Sequence, residues 1–312
     1  MQYLGEIISL VVAILWTATA LFANEASRRI GAMSTNLFRM VLSSILLAGL
    51  LWIVIGHPYP AFADGKTWLW MGLSALVGYV FGDFCLFNSY VIIGARFGQL
   101  FMTLAPVFAA FAGWILLGET LSWKSILAMG VTLSGIALSI LSRSQDGHHL
   151  TLRLPLKGIL LGIGAGMGQG VGLVLSKIGM QHYEAALPAN VPAAFDWAMP
   201  FASTMIRSLT GAVGFFVWMA LLGQLPQLRA AVHNRRGMQF TGLTTLFGPF
   251  IGVSLSLMAV QYARAGIAST LMALTPVLII LPYSMIYKQK ITPKEILGVT
   301  ISMLGVALFF LL

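Results

Sequence analysis

Charge is the scarcest property of this sequence. Asp, Glu, Lys and Arg together make up 9% of it, where a water-soluble globule carries about a quarter. That shortage excludes a soluble fold. Cysteine is almost absent: Cys85 stands alone inside an apolar run, so no intrachain disulfide can form. The histidines (His57, His148, His149, His182 and His233) all fall in loops or at the ends of apolar runs. No Ser/His/Asp or Cys/His grouping can therefore assemble inside an apolar segment, and the adjacent His148 and His149 make a poor chelate by themselves. A phosphate-cradling loop is lacking too. Gly158, Gly162, Gly166 and Gly170 recur every fourth residue, with Gly164, Gly168 and Gly172 as a second row. No register there gives G-x-G-x-x-G and no strand precedes it, so two close-packing helix faces are expected instead. No metal, nucleotide or other cofactor is expected. The +9 net charge lies mostly in short loops, which excludes nucleic acid as a partner. The first twenty residues have no basic leader region, and Gly5 to Phe22 reads as the first mature span.

What is abundant is apolar surface, at 58% of residues and a mean hydropathy of +0.90. Spanning hydrocarbon takes about 20 apolar residues per helix. Ten runs meet that need: 5–24, 35–56, 68–93, 97–117, 123–141, 156–178, 200–222, 238–262, 267–287 and 292–312. The expected fold is an all-α integral membrane protein of ten transmembrane helices. The longest connection, Gly179 to Met199, contains Pro188 and Pro192 and reads as an exposed loop with Trp197 as an interfacial anchor.

The chain repeats itself. Gly72–Leu138 lies without a gap on Gly242–Leu308, with sixteen of sixty-seven positions identical, where chance would give about six. The matches include Gly72/Gly242, Gly78/Gly248, Gly82/Gly252, Pro106/Pro276, Val107/Val277, Lys124/Lys294 and Gly135/Gly305. Glycine and proline hold special backbone positions, so a backbone plan is being repeated. The polar stretch Ser142–Pro155 divides two five-helix halves, 1–145 and 146–312. Five is odd, so the second half enters the membrane from the opposite side and the repeats are inverted, an arrangement characteristic of transporters. Twelve Lys and Arg residues fall in loops on one side of these ten spans and four on the other. The richer side reads as cytoplasmic, which places both termini outside a plasma (inner) membrane.

These features resemble the drug/metabolite transporter superfamily, in its ten-helix EamA-type branch. Arg39 and Arg207 begin the second helix of each half. Ala95-Arg96-Phe97-Gly98 with Thr103-Leu104-Ala105-Pro106-Val107 is echoed by Ala265-Gly266-Ile267-Ala268 with Ala273-Leu274-Thr275-Pro276-Val277. Leu117-Gly118-Glu119-Thr120-Leu121 is the family's most recognisable string, replaced in the second half by Lys288-Gln289-Lys290. The resemblance implies a non-enzymatic carrier of a small organic solute, with a cavity built from spans one, three, four, six, eight and nine. The lipid bilayer is its surroundings, and a homodimer is compatible with it. The alternative is an integral-membrane enzyme acting on a lipid or lipophilic substrate, which would need the reactive grouping that is missing.

Asp83 is the outstanding candidate. It lies midway along the third span, where an ionised carboxylate costs about 2.5–3.5 kcal/mol, and desolvation favours its protonated form. Its repeat partner is Val253. A proton-coupling or ammonium-binding role competes with helix packing, and Tyr79, Phe87 and Tyr90 share its helical face. Arg39 and Arg207, read as four to seven residues inside their spans, are candidates for a substrate anion, for lipid phosphate or for a carboxylate. Gln99, Thr103, Ser269, Gln169 and Asn88 are polar positions that either line a cavity or join helices. Pro106 and Pro276 are expected to kink spans four and nine and so to act as gates.

Overall fold

The computed structural model describes residues 3–142, 155–188, 194–278, 280, 285 and 292–311. No strand occurs among these described residues. In lipid every backbone N–H and C=O must be satisfied within the segment, which a helix does. Eight described segments are long and apolar enough to cross a membrane, and Trp123–Ser139 is a shorter apolar helix. Part of the expected span 267–287 falls outside the described residues.

The first half contains α1 (Leu4–Ile30), α2 (Ala32–Ile55), α3 (Gly65–Ala75), a π-helical stretch (Leu76–Asp83), α4 (Phe84–Met102), α5 (Ala105–Leu117) and α6 (Trp123–Ser142). The second contains α7 (Leu156–Ala186), α8 (Ala194–Leu221), the short α9 (Pro226–His233), α10 (Arg235–Thr245), a second π stretch (Leu246–Phe250), α11 (Ile251–Tyr262), α12 (Ala265–Met272), α13 (Thr275–Leu278) and α14 (Pro293–Leu311).

The repeat holds in backbone detail that residue identity does not reveal. At the same register shift, α3 and α10 coincide end for end, and both run directly into π-helix. Their caps coincide too. Asp64 Oδ1 accepts the Thr67 N–H at 2.8 Å, and Asn234 Oδ1 accepts the Gly237 N–H at 2.9 Å. Ser122 Oγ caps α6 through the Ser125 N–H at 3.1 Å, as Thr292 Oγ1 caps α14 through the Glu295 N–H at 3.2 Å. Glu295 returns the contact to the Thr292 N–H at 2.7 Å, completing a capping box.

The elements gather into two compact units, neither of which is a half of the sequence: 1–14, 81–171 and 263–312 form one, 15–80 and 172–262 the other. Within each unit, repeat-related helices pack on one another through self-complementary contacts. In the first, α6 meets α14. A Cβ on Gly135 would lie 2.8 Å from Ser302 Cα, and one on Gly305 would lie 2.8 Å from Thr132 Cα. The repeat pairs Gly135 with Gly305 and Thr132 with Ser302, so each contact is the image of the other, the signature of a local two-fold relation. In the second unit α2 meets α8. Ser43 and Ser208 share a hydrogen bond at 3.2 Å, while a Cβ on Gly211 would lie 3.4 Å from Met40 Sδ. These are again images of one another. Small residues let the backbones approach where no hydrophobic effect drives association.

Three expectations need correction. The connection expected from Gly179 to Met199 is mostly helix: α7 extends to Ala186 and α8 starts at Ala194. Tyr183 and Phe195, within it, are fully buried, with the Tyr183 hydroxyl donating to the Ala61 carbonyl at 2.5 Å. Pro188 follows the end of α7, so it terminates that helix without excluding helix before it. Next, the expected break between spans three and four at 94–96 is helical, and the chain bends only at Thr103–Leu104. A glycine in a helix costs about 1 kcal/mol and need not interrupt it. Finally, Pro106 does not kink a helix. It opens α5 after the turn at Thr103–Leu104, and Pro276 occupies the same place in α13 after Ala273–Leu274. In the first turn of a helix the missing N–H has no intrahelical partner to lose.

Candidate functional site

Asp83 closes the first π-helical stretch and is buried, with 9% of its surface exposed. Its Oδ1 accepts a hydrogen bond from Gln169 Nε2 of α7 at 3.1 Å, within the first compact unit. Glycines allow this approach, because Gly164 of α7 packs against Cys85 Sγ, 3.1 Å from where a Cβ would stand. Gly158, Gly162, Gly166 and Gly170 form the other row, lying against Ile93, Phe101, Leu104 and Ala105 of the α4–α5 segment. In the second unit Gly172 meets Gly78, and Ser74 Oγ donates to the Gly172 carbonyl at 2.6 Å. The π stretch also alters the expected face. One extra residue in the ladder advances everything beyond it by about 100°, so Tyr79 and the residues after Asp83 do not share a continuous α-helical stripe. The side chains of Phe87, Tyr90 and Gln99 lie outside the described residues.

Arg207 occupies a different setting from the one its sequence position suggested. Because α8 begins at Ala194, it sits at the middle of that membrane-spanning helix rather than in its first two turns. It is 4% exposed, and its guanidinium carbon lies 4.4 Å from the centre of the Tyr79 ring, within the second compact unit. Gly211, one turn further along, makes room for that ring: a Cβ there would stand 3.2 Å from Tyr79 Cδ2. No hydrogen bond or ion pair to Arg207 occurs among the described residues, and its Nε is enclosed. A guanidinium at mid-membrane costs at least about 2.5–3.5 kcal/mol, of which a tyrosine face returns about 0.5–2 kcal/mol. Arg39, its repeat partner, lies seven residues into α2 and is only half-buried.

The remaining polar candidates do not converge on these positions. Asn88 Nδ2 donates to the Phe84 carbonyl at 2.8 Å and Thr103 Oγ1 to the Leu100 carbonyl at 2.6 Å, both within their own helix. Ser269 is buried in α12 near the turn at Ala273–Leu274, where its carbonyl accepts the Ala273 N–H at 2.9 Å.

The structure adds two contacts whose partners the sequence does not name. Glu119 Oε2 accepts the Ala265 N–H at 2.9 Å, so the Gly118-Glu119 turn caps α12 from the α5–α6 connection. This gives the family string a packing role. Trp16 makes the second. Thr244 Oγ1 donates to the Thr19 carbonyl at 3.2 Å, the image of the Ser74–Gly172 bond. That pairing aligns α1 with α7 and gives Trp16 the repeat position that Gln169 holds. Trp16 abuts Gly252, with its indole Nε1 3.0 Å from a Cβ there. Trp16 thus stands beside Gly252, next to Val253, at the place where the related contact has Gln169 bonded to Asp83.

Comparison with known proteins agrees with this architecture. The model of the EamA-like transporter family matches residues 3–141 and 156–311. A solved crystal structure of 16% identity has the same fold, with a TM-score of 0.71 over 100% of this chain and 97% of its own. No curated protein matches. With both repeats matched, the chain is a multi-pass membrane transporter belonging to the EamA-like transporter family of the drug/metabolite transporter superfamily.

Proposed function

We propose that the protein is a secondary active transporter that moves a small organic solute across the plasma (inner) membrane by alternating access, with Asp83 carrying the coupling proton. The observation that supports this reading is the buried Asp83 carboxyl held by Gln169 in a π-helical stretch. A carboxylate there is costly when charged and has a donor ready to hold it, so gain and loss of a proton changes which arrangement of the helices is favoured. π-Helical turns inside α-helices occur frequently at functional sites. The repeat sharpens the point, since the second half keeps a π stretch, at Leu246–Phe250, but has Val253, in the α-helix that follows, at the position matching the acid. Both halves need the backbone; only one needs the carboxyl. The paired turns at Thr103–Leu104 and Ala273–Leu274, which precede Pro106 and Pro276, are the positions at which the segments pivot. The Lys/Arg bias places both termini outside.

The test is uptake of a panel of labelled metabolites into proteoliposomes, with and without an imposed pH gradient. Saturable flux that responds to the gradient, and that loses this response in Asp83→Asn, is expected. Flux with an unchanged pH response in Asp83→Asn removes the coupling role, and absence of any saturable flux removes the carrier reading.

A further inference from the structure

We infer that Arg207, seated on the Tyr79 ring, is the anion-binding element of the transport pathway and that the solute carries a carboxylate. The inference rests on the transport reading above but not on the role given to Asp83. It starts from a charge that is not balanced. Arg207 is buried at the centre of a membrane-spanning helix, contacts an aromatic face at 4.4 Å, and meets no carboxylate among the described residues. A fixed guanidinium at that depth marks a place where an anion is received. Tyrosine supplies attraction to one face of the group and leaves its edge, which carries the N–H donors, for a planar acceptor.

The repeat acts as an internal control. If the arginine were needed only to hold the fold, both halves would carry the same setting. Instead Arg39 is half-buried, and the position matching Tyr79 is Pro249, which offers no aromatic face. The setting has been elaborated on one side only, as a binding site in a duplicated scaffold would be. The same unit also holds Ser34 Oγ, both amide atoms of Asn36, Ser203 Oγ and Gln261 Oε1, each buried without a hydrogen-bond partner, like Arg207 Nε. Buried polar atoms of this kind are ordinarily satisfied, and their presence marks a unit that includes groups able to receive a polar solute.

Charge arithmetic selects the class. A single guanidinium neutralises a monoanion, and its fork matches the two oxygens of a carboxylate. A dianionic phosphate would leave one negative charge uncompensated at mid-membrane.

The experiment uses the full-length protein purified in detergent. Thermal unfolding is followed with acetate, benzoate and phenylalanine, each against its amide, and with inorganic phosphate. At least one carboxylate should raise Tm by several degrees while its amide does not, as expected for a ligand that binds only the folded state. Arg207→Gln should weaken that carboxylate by about tenfold or more, with Arg207→Lys retaining part of the affinity. Equal stabilisation by acid and amide, stabilisation by phosphate alone, or no effect of any carboxylate on the wild-type protein overturns the inference. So does carboxylate binding that Arg207→Gln leaves unchanged. Should Arg207→Gln fail to fold, the wild-type comparison of acid with amide and the Arg207→Lys variant still decide. Proteoliposome flux separates this result from the transport reading. Carboxylate binding with no flux defeats the carrier and not the site, whereas flux of neutral or cationic solutes that persists in Arg207→Gln defeats the site and not the carrier.

Discussion

Gln169 donates its side-chain N–H to Asp83 across 3.1 Å, tying the glycine-rich α7 to the end of a π-helical stretch. Replacing Gln169 with leucine removes the donor and keeps an apolar side chain of similar length. Gln169→Leu is expected to lower stability by about 1–3 kcal/mol, read as a fall in Tm. It should also shift the pH at which proton-driven uptake is half-maximal. An unchanged pH profile would separate the hydrogen bond from coupling.

The α6–α14 contact predicts a symmetric pair of effects. Gly135→Ala and Gly305→Ala each place a methyl group about where the other helix has backbone, so each should destabilise by about 1–3 kcal/mol. Gly130, on the same helix as Gly135, faces open space: a methyl group there would meet nothing within 4 Å. Gly130→Ala should therefore be neutral or stabilising by up to about 1 kcal/mol. Thermal unfolding of the three purified variants checks this, and equal behaviour of Gly130→Ala and Gly135→Ala would refute the packing account.

Glu119 caps α12 through the Ala265 N–H. Glu119→Ala should cost about 0.5–2 kcal/mol, whereas Glu119→Gln, which keeps an acceptor oxygen, should lose less. Hydrogen exchange at the first turn of α12 distinguishes a local cap from a general loss of fold.

Asp64 gives a pH prediction outside the spans. The Thr67 side chain and then the Thr67 N–H donate to its carboxylate and hold its pKa below the ordinary 3.8. A folded-state value below the unfolded one means that the contribution is fully present above the ordinary value and is lost as pH falls through the folded one. Amide exchange in the first turn of α3 should therefore accelerate below about pH 4. Asp64→Asn should remove that acid sensitivity while keeping the cap, because Asn234 already does the same work at the matching position in α10. Persistence of the acid effect in Asp64→Asn would assign it to another group.

The duplicated plan is readable in the sequence because glycine and proline mark backbone positions that other residues fill badly, as at Gly135/Gly305 and Pro106/Pro276. The caps at Asp64 and Asn234 are different residues doing one job, and become visible only when the halves are compared as structures. The π stretches leave no trace because they add a residue inside runs that are apolar on every face, where periodicity cannot register a shift of phase. The position of Arg207 is hidden for a local reason: Pro188 and Pro192 suggest a loop as far as Met199, yet α8 starts at Ala194 and carries Pro200 within it. Gln169 and Asp83 are 86 positions apart, and no pattern in either neighbourhood names the other.

Each compact unit draws its helices from both halves, and α2 packs chiefly on α8, a helix of the second half. During synthesis the helices of the first half therefore precede their partners, and Met40 and Ser43 lack the helix that covers them until residues beyond Gly211 have been made. Splitting the chain within 143–154 and producing the pieces separately would yield two inserted but unassembled bundles, and only co-production would restore a protease-resistant protein.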